Sequence, residues 1–305
     1  MKKIEFIVCC MIVACVSGFN TNAQQLPQVS NFSNNQLIFN PAAAGMYETD
    51  FNVNLLSRLQ WSGIQGAPTY NMFWTDYRFG GNKSAIGLNV NVNSFGVTRM
   101  TEVLGNYSYS FHLSQRFKMS MGLRVGTNMI RYNNLPSDKI WDADDPLEQN
   151  PVNNTSLPMA GGGFRLSDKK FYVGISAPDL ISRDKYNIYG NNGKSFFVKK
   201  RNYVLMSGYK LKLSDAYTLS PNLIMLYFPT APVRADMNVN FEIRDYFWAG
   251  ATYSTSHFHS LMVGTHISSI LRASYAFQFG VGHNIPSKFF THEISLMLNL
   301  DVLRK

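Results

Sequence analysis

From Val103 to Leu113 the chain reads V-L-G-N-Y-S-Y-S-F-H-L. Val103, Gly105, Tyr107, Tyr109, Phe111 and Leu113 fall on one face of an extended strand. Leu104, Asn106, Ser108, Ser110 and His112 fall on the other. Side chains alternate with period two in a strand, so this stretch has one apolar and one wet face. The pattern recurs along the chain. Ile86, Leu88, Val90 and Val92 oppose Gly87, Asn89, Asn91 and Asn93, and Met237, Val239, Phe241 and Ile243 oppose Asp236, Asn238, Asn240 and Glu242. The pattern predicts about 14 strands: Phe51–Leu59, Thr69–Phe79, Ser84–Asn93, Thr98–Leu113, Phe117–Tyr132, Leu157–Leu166, Lys170–Ala177, Val198–Leu213, Tyr217–Tyr227, Ala235–Ile243, Tyr246–Ser254, Leu261–Ile267, Leu271–Gly280 and His292–Leu300. Tyr217–Tyr227 alternates poorly.

The connections alternate too. Tight polar turns fall at Gly80–Lys83, Ser114–Arg116, Ser167–Asp168, Ser214–Ala216, Arg244–Asp245 and Ser268–Ile270. Between them lie generally longer links, Gln60–Pro68, Asn133–Ser156, Pro178–Phe197, Phe228–Arg234, Ser256–Ser260 and Val281–Thr291, with a short one at Ser94–Val97. Outer-membrane barrels carry short periplasmic turns and longer outer loops, and an even strand number brings both termini to the periplasm. The expected fold is an all-β transmembrane antiparallel barrel. A soluble sandwich shows the same alternation; the loop parity, the many long strands and the aromatic-rich apolar face stand against it. A Lys or Arg on the lipid face at mid-membrane costs about 2–4 kcal/mol. Arg124, Asp236, Glu242, Arg272 and Glu293 all fall on the expected lumen face.

Lys2 and Lys3, the mostly apolar run Ile4–Val16 and small residues up to Ala23 form the three parts of an export signal, with cleavage expected after Ala23. Ile12-Val13-Ala14-Cys15 also resembles a lipoprotein signal, with Cys15 as the lipidated residue. Cys9, Cys10 and Cys15 all lie in this leader, so cleavage at Ala23 leaves no thiol for disulfides or metal. The expected organisation is 1–23 signal peptide, 24–46 periplasmic or lumen segment, and 47–305 barrel. Cleavage takes Lys2, Lys3 and Glu5 away, leaving 26 basic and 18 acidic residues, net +8. An exported basic protein points to acidic protein partners or lipid headgroups rather than nucleic acid. No long uncharged apolar run provides a spanning helix.

Several strings stand out in order: Asn40-Pro41-Ala42-Ala43-Ala44-Gly45; Gln60-Trp61-Ser62-Gly63-Ile64-Gln65-Gly66-Ala67-Pro68; Phe171-Tyr172-Val173-Gly174-Ile175-Ser176-Ala177-Pro178-Asp179-Leu180; Gly208-Tyr209-Lys210-Leu211-Lys212-Leu213-Ser214; Phe247-Trp248-Ala249-Gly250-Ala251; and His292-Glu293-Ile294-Ser295-Leu296. The ordered set resembles the PorP/SprF family, outer-membrane components of the type IX secretion system of Bacteroidetes, from about Gln24 onward. The resemblance implies a non-enzymatic export component, in some members serving gliding motility. Its implied partners are the secretion pore, periplasmic ring proteins and the C-terminal sorting domain of secreted adhesins. The tail Asp301-Val302-Leu303-Arg304-Lys305 departs from barrels that end on an aromatic assembly signal.

Read as residues, Gly63, Gly66 and Pro68 suit a sharply turned loop. Trp61 suits either a headgroup anchor or a partner contact. Asn40-Pro41 reads as a turn into the first strand, ahead of Gly45, and Pro178, before Asp179, as the end of a strand. Together with Trp141, these residues are the candidate partner- or cargo-binding positions. The acids Asp138, Asp142, Asp144, Asp145 and Glu148 around Trp141 read as solvated outer charge, because their spacing does not match a calcium loop. His257 and His259 make at most a weak metal pair. Gly161-Gly162-Gly163 reads as small lumen or bulge residues. No cofactor is expected. A transport barrel for a small or hydrophobic solute is the alternative function, since fold does not establish function. A lipid-hydrolysing barrel would need a constellation that Ser256-His257, pointing apart in a strand, does not supply.

Overall fold

The computed structural model describes residues 28–132, 155–181, 183–186, 197–199, 201–229, 231–244, 246–281 and 290–301. Its strands are β1 Phe51–Leu59, β2 Thr69–Phe79, β3 Ser84–Phe95, β4 Thr98–His112, β5 Lys118–Tyr132, β6 Thr155–Ser167, β7 Phe171–Asp179, β8 Asn202–Tyr209, β9 Tyr217–Phe228, β10 Ala231–Ile243, β11 Phe247–Ser254, β12 Phe258–His266, β13 Leu271–Gly280 and β14 Thr291–Leu300. Leu211–Lys212 continues β8 beyond Lys210 and pairs with the start of β9. Each strand pairs antiparallel with its sequence neighbours, and β1 pairs with β14 from Phe51↔Leu300 to Leu59↔His292. The result is a closed 14-strand up-and-down barrel.

Closure leaves no sheet edge, which is what lipid demands of a spanning sheet. The inside-out distribution of polarity separates this barrel from a sandwich. Leu123 is 67% exposed, Val125 65% and Ile294 55%, all on the outer face. Asn52, Asn89, Asn106, Asn238, Arg124, Asp236 and Glu293 are buried on the inner face. Soluble proteins do the reverse. Aromatic pairs ring both rims, with Tyr77–Phe79, Tyr109–Phe111 and Tyr217–Phe241 toward the short turns. Tyr203–Tyr227, Tyr253–His259 and Phe277–Phe290 lie toward the long loops. Such girdles mark the two interfaces of a membrane barrel.

One expected strand is divided. Val198–Leu213 does not run unbroken: Phe197–Lys199 pairs with Arg183–Tyr186 in a separate two-stranded ribbon, and β8 starts at Asn202. The poorly patterned Tyr217–Tyr227 stretch is the full strand β9. Two of the expected longer links are tight, because β10 starts at Ala231 and β12 at Phe258. Most of the Asn133–Ser156 link, including Trp141 and the acidic cluster, lies outside the described residues, as does the export signal.

Candidate functional site

The lumen is occupied by the chain's own amino-terminal segment. Residues 28–45 are almost all buried, in a 3-10 turn Phe32–Asn34, a single helical turn Gln36–Phe39 and a 3-10 turn Pro41–Ala43. So short a segment has few internal hydrogen bonds, and its backbone must find partners elsewhere. Asn40 caps the last turn, its Oδ1 accepting from Ala42 N at 2.9 Å with Pro41 at the first position. Its Nδ2 reaches the wall and donates to the Phe164 carbonyl at 3.1 Å.

The wall supplies the remaining partners. Arg124 on β5 donates from Nη1 to Ile38 O at 2.9 Å, from Nη2 to Leu37 O, and from Nε to Asn106 Oδ1 at 2.7 Å. Ser176 on β7 donates to Phe39 O at 2.8 Å, and Ser108 on β4 to Ala44 O at 2.7 Å. Glu293 on β14 accepts from Ser30 N at 3.0 Å and Asn31 N at 3.3 Å, and is paired with Arg58 at 3.2 Å. Arg58 also donates to Gln278 Oε1. Asp76 on β2 accepts from Gly45 N at 2.9 Å and from Asn52 Nδ2 at 2.8 Å. Trp74 Nε1 donates to Asn35 Oδ1 at 2.9 Å.

Apolar contacts complete the seat. Val29, Phe32, Leu37, Ile38 and Phe39 pack with Leu56, Met72, Trp74, Val204, Met206, Ile224 and Leu226 of the wall. The wall is also shaped to admit the segment. A Cβ at Gly122 would stand 2.2 Å from Ala42 N, and one at Gly163 2.2 Å from Asn40 Oδ1. Only glycine allows that approach.

The segment runs along the barrel axis. Ser30 sits at the level of Arg58, one residue from the long-loop end of β1. Gly45 sits at the level of Asp76, which pairs with Asn52 at the short-turn end. The first described residues therefore lie toward the long loops, and the chain descends to enter β1 from the short-turn rim.

The candidate positions fall into three separate places. Asn40, Pro41 and Gly45 belong to the lumen segment and are buried, apart from the barrel exterior. Trp61, Gly63, Gly66 and Pro68 lie together in the β1–β2 loop at the long-loop rim. There Trp61 (φ 53°), Gly63 (φ 96°) and Gly66 (φ 76°) hold left-handed turns. The loop is braced on both sides: Ser62 N donates to Phe290 O at 2.8 Å, and Gly96 N to Gly66 O at 2.9 Å. Pro178 and Asp179 end β7 and are buried, with Asp179 opposite Asn202. Trp141 lies outside the described residues.

Sequence reasoning placed Arg124 and Glu293 in the lumen but did not foresee what they hold. Arg58 and Asp76 carry the same inward parity and were open to the same argument. Ser256 Oγ lies 2.7 Å from Ser254 Oγ, and among the described residues no histidine bonds it. His259 stacks on Tyr253 at 4.9 Å, and among the described residues no group of three His, Cys, Asp or Glu gathers.

A closed barrel, apolar outside and filled inside by its own leading segment, is an integral β-barrel of the outer-membrane type. The chain belongs to the PorP/SprF family of type IX secretion system membrane proteins, whose model matches residues 21–298. Its fold is similar to that of the CymD monoaromatic hydrocarbon channel, with a TM-score of 0.54 and 12% identity over 87% of this chain and 92% of that one. It is also similar to the TodX deltaS2S3 mutant monoaromatic hydrocarbon channel, with a TM-score of 0.53 and 10% identity over 88% of this chain and 94% of that one. At such identity the likeness is one of fold. No curated protein matches the chain by sequence. Fold and family together fit an outer-membrane location.

Proposed function

We propose that this protein is a non-enzymatic accessory of type IX secretion that supports export or surface attachment of particular large adhesins. The observation that carries the reading is the filled lumen. Residues 28–45 are held by side chains from β1, β2, β4, β5, β7 and β14, so the barrel offers its rims, not its bore, to a passing polypeptide. The long-loop rim faces outward. There the braced Gln60–Pro68 loop, rigid before any partner arrives, is the first candidate contact for a cargo's C-terminal sorting domain. The short-turn rim faces the periplasm with the barrel's carboxyl end. Lys83, Arg116, Lys169 and Lys170 on that side suit acidic surfaces of ring proteins or of the secretion pore. The mature chain begins at Gln24.

Deletion of the gene, with surface adhesins and solute uptake followed in parallel, tests the reading. Loss of one class of surface adhesin with unchanged uptake is the expected result. Unchanged adhesins with impaired uptake of a hydrophobic solute would replace it with the transport reading. Affinity capture from solubilised outer membrane should recover ring proteins together with an adhesin.

A further inference from the structure

The inner wall of β3, β4 and β5 holds a row of oxygen donors that the lumen segment does not use. Asn91 pairs with Glu102, and Glu102 with Asn128, so the three stand side by side across adjacent strands with their side chains inward. Directly opposed residues of a sheet have Cβ atoms about 4.5–5.5 Å apart. Asn93 lies two positions along β3 on the same face, on the long-loop side. Asn91 Nδ2 donates to Glu102 Oε2 at 3.1 Å, and a half-turn of this amide sets its Oδ1 beside the carboxylate when a cation takes the place of the hydrogen bond.

Asn91 and Asn128 are each 3% exposed. The Oδ1 atoms of Asn91, Asn93 and Asn128 are all buried, and among the described residues none accepts a hydrogen bond. Buried acceptors are normally satisfied, and three beside one carboxylate call for a common partner that is positive or donates. The donor set contains oxygen only, in the mixture of amide carbonyl and carboxylate that hard cations take. Calcium tolerates irregular geometry and accepts water into its shell, whereas magnesium demands a near-ideal octahedron.

We propose that Asn91, Asn93, Glu102 and Asn128 bind a calcium ion in the long-loop half of the lumen, water completing its coordination. The ion ties three strands together across their inner face. The proposal does not depend on the secretion reading. A single carboxylate places the dissociation constant in the weak class of calcium sites, about 10⁻⁴–10⁻³ M.

The test uses the full-length barrel purified in detergent, with calcium chloride titrated after EDTA treatment. Thermal unfolding in 10 mM calcium should rise by about 2–4 °C over EDTA, and magnesium should give less. Glu102→Gln should weaken calcium binding at least tenfold. Asn128→Leu, which replaces an orphan acceptor with an apolar group of similar size, should remove the calcium response without lowering stability in EDTA. Absence of any calcium response in the wild-type protein overturns the proposal, and needs no variant to fold. A response that both variants retain also overturns it, placing the ion elsewhere, with the outer acidic stretch the first candidate. A response of equal size with magnesium would mean general screening of charge.

Discussion

Arg58 and Glu293 are both essentially withdrawn from solvent, with side chains 0% and 3% exposed. Removing two ions from water is costly, and their attraction offsets this only when the remaining valences are filled. Most of them are: Glu293 receives two backbone N–H groups of the lumen segment, and Arg58 reaches Ser30 and Gln278, while among the described residues its Nε has no acceptor. The pair therefore fixes the upper end of the segment as well as itself. Replacing Glu293 with Leu leaves Arg58 charged and buried, and orphans two N–H groups. The expected loss is about 3–5 kcal/mol, read from urea unfolding in detergent by tryptophan fluorescence. Arg58→Leu combined with Glu293→Leu should be more stable than Glu293→Leu alone, because no unpaired charge remains. A double variant that loses the sum of the two single losses would show that the residues act independently and sink this account.

The elements follow from the contrast between the two faces. β5 turns Leu123 and Val125 to lipid and Arg124 inward, so exchanging polarity at one position tests the whole orientation. Val125→Lys, near the middle of β5, should cost about 2–4 kcal/mol in lipid vesicles, and Met119→Lys at the interface about 0–1 kcal/mol. Equal costs would contradict the assigned membrane depth. The turns have their own chemistry. Burial pushes the Asp168 carboxyl up, but the N–H groups of Phe171 and Lys170 and the Arg116 guanidinium outweigh it and hold it below the usual carboxylate range. A carboxyl lowered in the folded state contributes fully above its unfolded value of about 4, and the contribution fades as pH falls toward the folded value. The β6–β7 turn should loosen below about pH 4, seen as faster amide exchange at Lys170 and Phe171, and Asp168→Asn should remove that pH dependence. Where the faces differ, sequence resolves the elements to the residue, as for Phe51–Leu59, Thr69–Phe79 and Leu271–Gly280. At β9 the strand is where it was expected, to within one residue, and its weak alternation has a physical reason. Ile224, Leu226 and Phe228 face the apolar side of the lumen segment, so the strand is apolar on both sides and the alternation disappears. For the segment ahead of β1, composition left the lumen and the periplasm as open alternatives. Asn40-Pro41 reads as a turn, yet Asn40, like Asn35, is buried and bonds to the wall.

At the scale of the whole molecule, the path of the lumen segment decides where the two ends of the mature chain lie. β14 finishes beside Phe51 at the short-turn rim, whereas Ser30 sits beside Arg58 in the long-loop third of the bore. If export cleaves after Ala23, six steps separate Gln24 from Ser30, about 20–22 Å when fully extended. From Arg58 back to Phe51 the strand covers seven steps, about 23 Å along the strand, or roughly 18 Å along the axis at the tilt of such barrels. The upward course from Gly45 to Ser30 predicts that a chain beginning at Gln24 starts on the long-loop side, opposite to the end of β14, whereas the loop parity alone leads to the expectation that both termini meet the periplasm. An epitope placed between Gln24 and Gln25, with a spacer, should be reached by antibody on intact cells. One appended after Lys305 should need permeabilised cells. The converse pattern would mean that the chain ahead of Ser30 turns back toward the short-turn rim. The same geometry constrains assembly: a segment pinned from strands all round the wall must be in place before β1 and β14 zip together, so variants that weaken its anchors should slow closure as well as destabilise the product.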